Sequence, residues 1–192
     1  NANDDEYTLE AGEGVGTTGR TVEVPVPTRD GFNSPARQNV TINGDGTSKV
    51  DYYYTRKNYT ITLNSGTGVS SVSGAGTYRY GKNISIDATV KTGYEWNSNS
   101  KWTGTSTFTA KNPTIQVPLN GGTYTATASA SKYDVTLDNQ GGSANSTISA
   151  TFDAAMPTVK KPTKNYTVSF DSNGGSAVSS QSASQTFGGY YT

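Results

Sequence analysis

The stretch Asn58-Tyr59-Thr60-Ile61-Thr62-Leu63 decides the fold, because the chain repeats its pattern at residues 132–137 and 165–170. In each copy a Tyr, a β-branched residue and a Leu or Phe occupy alternate positions, with polar residues between them. This period-2 alternation predicts a β-strand with one packed face and one solvated face. Each copy then runs into a turn that contains glycine. A strand and turn that recur at intervals of tens of residues predict a mostly β protein built from tandem small modules.

The recurring strand also sets the predicted domain organisation, with modules at residues 1–57, 58–131 and 132–192. A module of about sixty residues has a marginal hydrophobic core, so we expect neighbouring modules of the same protein to pack on one another. The apolar fraction is 31%, and the 13 Tyr outnumber the 5 Phe and 2 Trp. Tyr suits a half-buried pleated surface on which the ring packs and the hydroxyl stays wet.

Composition excludes several classes of function. The 192 residues include no Cys and no His, which removes disulfides, thiolate nucleophiles, Cys/His metal sites and histidine general bases. The 15 basic and 15 acidic residues cancel, so no face is expected to reach the basic density that nucleic acid or anionic lipid requires. The second module has only Asp87 and Glu95 as acids, which argues against a glycosidase-like carboxylate pair. We therefore predict no enzyme activity, no cofactor and no nucleic-acid partner.

The first module contains a predicted hairpin. Residues 38–42 and 49–54 flank Asn43-Gly44-Asp45-Gly46, and Asn-Gly takes the positive φ angles of tight hairpin turns. The two prolines of residues 21–27 cannot donate to a ladder, so this segment is expected at a sheet edge. Four stretches form a further pattern: Gly31-Phe32, Val40-Thr41-Ile42, Asp45-Gly46 and Val50-Asp51-Tyr52-Tyr53-Tyr54-Thr55-Arg56. Together they resemble the C-terminal two-thirds of a MucBP-like repeat, a family of Gram-positive surface proteins, with the opening strand truncated or divergent.

The second module continues with residues 83–90, whose alternation places the even-numbered side chains on one packed face and Asp87 on the solvated side. Gly93-Tyr94-Glu95-Trp96 and Lys101-Trp102-Thr103-Gly104 follow. This series resembles the divergent bacterial repeat domain, whose members carry Gly-Tyr-x-aromatic and then a Trp ahead of a small-Gly turn. The resemblance implies that both indoles pack beneath a sheet.

Five sequence features follow one another in the third module: residues 133–137, Gly141-Gly142, residues 150–157, Lys161-Pro162-Thr163-Lys164 and the ending Phe187-Gly188-Gly189-Tyr190-Tyr191-Thr192. They resemble the Listeria–Bacteroides repeat, also called the internalin B-repeat. The resemblance implies a β-grasp-like fold. Residues 153–156 are the one stretch expected to form a short helical turn, so we predict at most one short helix. Residues 165–185 depart from the family pattern, because they open a second copy of the strand before the Gly-Gly ending. The module is either one repeat or two spliced partial repeats, which leaves its boundary within residues 165–186 open.

Six aromatic residues are the candidate ligand contacts. Trp96 and Trp102, with Tyr94 beside them, either form an aromatic platform for a sugar ring or supply buried area to a small core. The run Tyr52-Tyr53-Tyr54 places rings on both faces of its strand. It is interpreted as an interface, with one ring in the core and its neighbours packing on an adjacent module or on a partner.

Two glycine loops, Asp138-Asn139-Gln140-Gly141-Gly142 and Asp171-Ser172-Asn173-Gly174-Gly175, offer the oxygen atoms that calcium binds. Each loop has a single carboxylate, and an Asp or Asn ahead of Gly-Gly is what a tight turn requires. We therefore interpret both loops as turns and predict no metal site.

These observations favour a non-enzymatic stalk and adhesion module of a large bacterial surface protein, located outside the cell. No apolar stretch reaches the ~20 residues that span a bilayer, so direct membrane insertion is not expected. Expected partners are neighbouring modules and a host glycoprotein or glycan. Two alternatives stay open: a carbohydrate-binding module that uses Trp96 and Tyr94, and a fibre subunit that self-assembles head to tail by β-strand addition.

Overall fold

The computed structural model describes residues 9–186, and this part of the chain is all-β, with no helix. The predicted fold class of small β modules is therefore confirmed. The ending at residues 187–192 lies outside the described residues. The strands are β1 (Thr21–Val24), β2 (Phe32–Asn33), β3 (Gln38–Thr41), β4 (Thr55–Arg56), β5 (Asn58–Ser65), β6 (Val69–Ser73), β7 (Gly76–Arg79), β8 (Asn83–Ser85), β9 (Asp87–Val90), β10 (Tyr94–Glu95), β11 (Lys101–Gly104), β12 (Thr114–Gln116), β13 (Gly122–Thr127), β14 (Ser129–Ala130), β15 (Lys132–Thr136), β16 (Thr147–Thr151), β17 (Thr163–Val168) and β18 (Gln181–Thr186).

The chain divides into two compact units, Asn1–Ser129 and Ala130–Thr192. The first predicted module and all but the last two residues of the second fall within the first unit, so the three-module division stays a prediction. The second unit begins two residues before the predicted start of the third module.

The core of the first unit lies under a four-stranded sheet in the order β11–β13–β5–β7. β5 is the quoted stretch, and it is central: β7 pairs with it antiparallel and β13 pairs with it parallel. Its predicted alternation is confirmed, because Ile61 is buried and Tyr59 and Leu63 pack on the core from the same face. The buried apolar side chains are Ile61, Val69, Ile84, Ile86, Ala88, Trp102, Ile115, Val117, Tyr124, Ala126 and Ala128.

Residues 83–90 form two short strands. Ile84, Ile86 and Ala88 are buried, so the predicted packed face is confirmed. At Ile86 the ladder changes partner: β8 pairs with β12, whereas β9 pairs with β6. Gly74 accounts for part of this break, because its positive φ of 99° brings its backbone against the backbone of residues 85 and 86.

The predicted hairpin of residues 38–42 and 49–54 is wrong. The turn forms, with Asp45 accepting hydrogen bonds from the amide and hydroxyl of Thr47, but residues 49–54 are not a strand. β3 instead pairs antiparallel with β1, from Thr21↔Thr41 to Val24↔Gln38. The segment that contains β1 was expected at a sheet edge. β1 is one of only two strands in its sheet, so it does lie at an edge, and it ends before the first proline.

The second unit consists of two antiparallel hairpins, β15–β16 and β17–β18. Residues 153–156 are not helical: Asp153 has a φ of +56°, and the amide of Ala154 donates to the carbonyl of Thr151 in a turn. Among residues 130–184 of this unit, Pro162 is the only buried residue, and none of them belongs to the buried apolar core. In β17 and just after it, Tyr166, Val168 and Phe170 are 40%, 52% and 46% exposed.

Candidate functional site

Trp102 lies on β11 and is 0% exposed. Its indole N–H donates a 3.0 Å hydrogen bond to the carbonyl oxygen of Lys111. Its backbone amide and carbonyl exchange hydrogen bonds with Phe108. This indole is therefore part of the core, and its one polar atom is satisfied internally.

Trp96 follows β10 and is only partly buried. Its indole N–H donates a 2.8 Å hydrogen bond to the carbonyl oxygen of Thr109. Its ring centroid lies 6.5 Å from that of Trp102, and the two planes are tilted by 47°. The structure thus brings the two indoles together, with one packed over the other.

The third aromatic residue of this group, Tyr94, packs against backbone. The ring lies against the backbone of Gly68, where a β-carbon would overlap it. Gly68 has a φ of +71°, so glycine is required there on both counts. Tyr94 is partly buried and packs on the core, as Trp96 does.

The loop between β11 and β12 holds both indoles, since the carbonyl groups of Thr109 and Lys111 are their acceptors. The ammonium group of Lys111 contacts a carboxylate oxygen of Asp87 at 2.8 Å and the carbonyl of Ala88 at 3.1 Å. The hydrogen bond from Lys111 holds the pKa of Asp87 below its usual value. Spacing in the sequence did not reveal this ion pair, because the partners are 24 positions apart and on different elements.

The run of residues 52–54 is divided between two environments. The hydroxyl of Tyr52 donates to the carbonyl of Val24 at 2.8 Å, and that of Tyr54 donates to the carbonyl of Pro27 at 2.6 Å. Tyr53, between them, is 62% exposed. Two of the three side chains therefore hold this segment to β1 and to the residues that follow it.

An aromatic cluster centred on Tyr80 was missed in the sequence. Phe32 and Tyr59 meet the Tyr80 ring edge to face, at centroid distances of 6.0 and 6.2 Å. The guanidinium of Arg56 lies 4.9 Å from the Phe32 centroid and donates to the Tyr80 carbonyl at 3.1 Å. The cluster joins residues 31–56 to β5 and β7. Gly31 was the available signal, since glycine permits a close approach to the backbone.

A shallow depression of about 450 Å³ lies on the outer face of the core sheet. Hydroxyl, amide and glycine groups line it, and no lining residue is charged. The lining residues are Thr60, Thr62, Gly104, Thr105, Asn120, Gly121, Gly122, Thr123 and Thr125. Such a surface can hydrogen-bond a neutral polar group, but it offers no acid, base or nucleophile pair.

Both glycine loops of the second unit are turns held by their own Asp. Asp138 accepts from the amide of Gln140 at 2.9 Å, and Asp171 accepts from the amide of Asn173 at 2.9 Å. These are Asx turns, as the glycine pattern predicted. Within residues 9–186, no group of three or more acidic, His or Cys side chains could hold a metal ion.

No family model, curated protein or solved structure matches this chain. No helix in the described part of the chain is long and apolar enough to cross a membrane.

Proposed function

We propose that the chain is a non-enzymatic spacer and contact module of a large bacterial cell-surface protein. The observation that carries the proposal is that the polar atoms of its Trp side chains and of two Tyr side chains form hydrogen bonds within the protein. The indole N–H groups of Trp96 and Trp102 and the hydroxyls of Tyr52 and Tyr54 all donate to backbone carbonyls of the same unit. They strengthen a small β-structure that has no disulfide.

The cluster around Tyr80 supports the same role. A spacer needs successive segments to be held to each other, and this cluster joins the segment before β5 to the core sheet. The chemistry of the surface also fits: the depression on the outer face is neutral and hydroxyl-lined. Contact with a host protein or glycan would therefore rest on hydrogen bonds and rings rather than on strong charge attraction.

The spacer role can be tested by display. The chain is placed between a wall anchor and an epitope tag in a Gram-positive host, and antibody binding to the tag is measured by flow cytometry. We expect the tag to be accessible with the folded chain and masked when it is fused directly to the anchor. Equal binding in the two strains would contradict the spacer role.

A carbohydrate-binding module is a second candidate, and the partial exposure of Trp96 favours it. On a glycan array, binding to one sugar class that is lost in Trp96→Ala and kept in Tyr53→Ala would establish it. The absence of binding to every sugar on the array would exclude the carbohydrate-binding function.

Self-assembly by strand addition is a third candidate. In the described residues β17 pairs along its length only with β18, and its apolar side chains are about half exposed. Such an edge can accept a strand from a second copy of the chain. Light scattering should then show concentration-dependent oligomers that Val168→Lys abolishes. A folded monomer at all concentrations would exclude the fibre.

A further inference from the structure

β5 and β13 are the first and the last strands of the core sheet in chain order, and they lie side by side and parallel. We propose that this pair is a force-bearing clamp, so that the first unit has a mechanical function. The proposal deepens the spacer role, because a surface protein attached at both ends is pulled along its chain.

The direction of the load follows from the topology. Tension enters β5 at Asn58, its first residue, and leaves β13 at Thr127, its last residue. In a parallel pair these two points lie at opposite ends of the ladder. The two strands are therefore pulled past each other along their own axes, and every bond between them must yield together.

The ladder is suited to this load. It runs from Gly122↔Ile61 to Ala126↔Ser65. It is extended by a 2.8 Å hydrogen bond from the amide of Gly66 to the carbonyl of Ala126. One face of both strands is closed by buried side chains, including Ile61, Tyr124 and Ala126. Water therefore reaches these bonds from one side only, which keeps them from being replaced one at a time.

Two glycines allow β13 and its neighbours to approach each other closely. Gly121, with a φ of +79°, lies immediately before β13, and a β-carbon there would overlap the carbonyl of Thr60. The carbonyl of Thr123 likewise occupies the space that a side chain at Gly104 would need. Both neighbours of β13 are thus held at backbone distance, so the strand cannot peel away without first breaking its packing.

Several other strand pairs in the described part of the chain offer the opposite geometry. β5 and β7 are antiparallel, and Asn58 pairs with Arg79 at one end of their ladder. The hairpins β15–β16 and β17–β18 are antiparallel as well. When the two adjacent ends of an antiparallel pair are pulled apart, the bonds open in succession, and each carries the whole load in turn.

The test uses two thiol handles, because the chain has no native Cys. Lys57→Cys with Lys132→Cys loads the clamp in shear. Lys57→Cys with Lys82→Cys is the matched control, which loads β5 against β7 as a zipper. Single-molecule force spectroscopy should give a rupture force roughly twofold or more higher in the first geometry, since forced unfolding is governed by the unfolding barrier. Complete extension releases about 250 Å of chain in the first variant and about 85 Å in the second, which identifies each event.

Equal forces in the two geometries, or a lower force for Lys57/Lys132, would overturn the clamp. A second measurement guards against a handle that weakens the fold. The unmodified chain is pulled from its ends, and the release of about 250 Å is expected after the shorter releases of the second unit's hairpins. The reverse order would also overturn the clamp. Either negative result leaves epitope display as an independent test of the spacer.

Discussion

The ring of Tyr80 lies directly on the backbone of Gly31, in the space where any other residue would place its β-carbon. Gly31 is buried and has a φ of +80°. Its carbonyl accepts a 2.8 Å hydrogen bond from the amide of Lys57, one residue before β5. These two contacts therefore help to couple the N-terminal segment to the first strand of the core.

We expect Gly31→Ala to destabilise the first unit by about 2–4 kcal/mol, from strain at positive φ together with overlap with the ring. Gly46→Ala is the matched control. Gly46 has nearly the same φ, +77°, but nothing lies within 4 Å of its missing β-carbon, so only about 1 kcal/mol is expected. Urea unfolding measures both. Similar losses would show that the Tyr80 contact contributes little.

The repeated strand permits a comparison at matched positions. Ile61 is 1% exposed in β5, whereas Val168, at the same point of the pattern in β17, is 52% exposed. We expect Ile61→Ala to cost about 2–5 kcal/mol because it leaves a cavity. Val168→Ala should change stability by less than about 0.5 kcal/mol. Thermal unfolding of the two variants checks this, and a large loss in Val168→Ala would reveal a covered face.

The two indoles should differ in solution. Trp102→Phe leaves the Lys111 carbonyl without its donor inside the core, at a cost of about 1–3 kcal/mol. Trp96→Phe removes a more exposed bond and should cost less. In Trp96→Phe the remaining emission, from Trp102, should be blue-shifted and resistant to iodide. Strong iodide quenching in that variant would contradict burial of Trp102.

The Asp87–Lys111 ion pair predicts a response to acid. Because the hydrogen bond from Lys111 lowers the pKa of Asp87 below its ordinary value of 3.8, the contribution of the pair is complete above that value. It is lost as pH falls through the lower pKa of the folded state. Both side chains are more than 40% exposed, so the contribution is small, below about 1 kcal/mol.

Asp87→Asn should therefore flatten the fall in melting temperature below about pH 4. Lys111→Gln should flatten it less, because the amide of Ala88 still donates to the Asp87 carboxylate, and the double variant should match Asp87→Asn. An unchanged acid slope in both single variants would show that the pair does not form in solution.

Local pattern was sufficient for β5, for the packed face of residues 83–90 and for the Asx turns, because the residues that decide these features are neighbours in sequence. The partner of β3 was not predictable in the same way. Asn-Gly pointed to the following segment, but residues 21–24 compete for the same edge and form four register pairs with it. The hydroxyl of Tyr52 then fastens the displaced segment over that sheet.

The burial of a predicted strand was also not predictable from its local sequence. Residues 58–63 and 165–170 have the same alternation, yet the first stretch lies at the centre of a sheet and the second on an edge hairpin. Alternation predicts which face of a strand can pack. Whether that face is covered depends on strands that are distant in sequence. The acceptors of the two indoles were hidden for a related reason, since they are backbone carbonyls and leave no signature in the sequence.

The parallel pairing of β5 with β13 also sets the order in which the protein can form. β5 pairs with residues that follow it by about sixty positions, so the core sheet cannot close during synthesis until that later strand has emerged. Each hairpin of the second unit closes within a short stretch of chain. On refolding, pulse-labelled amide exchange should accordingly protect β15–β16 before β5, and the reverse order would contradict this. In refolding, the part of the molecule that resists opening most strongly is then assembled after the hairpins.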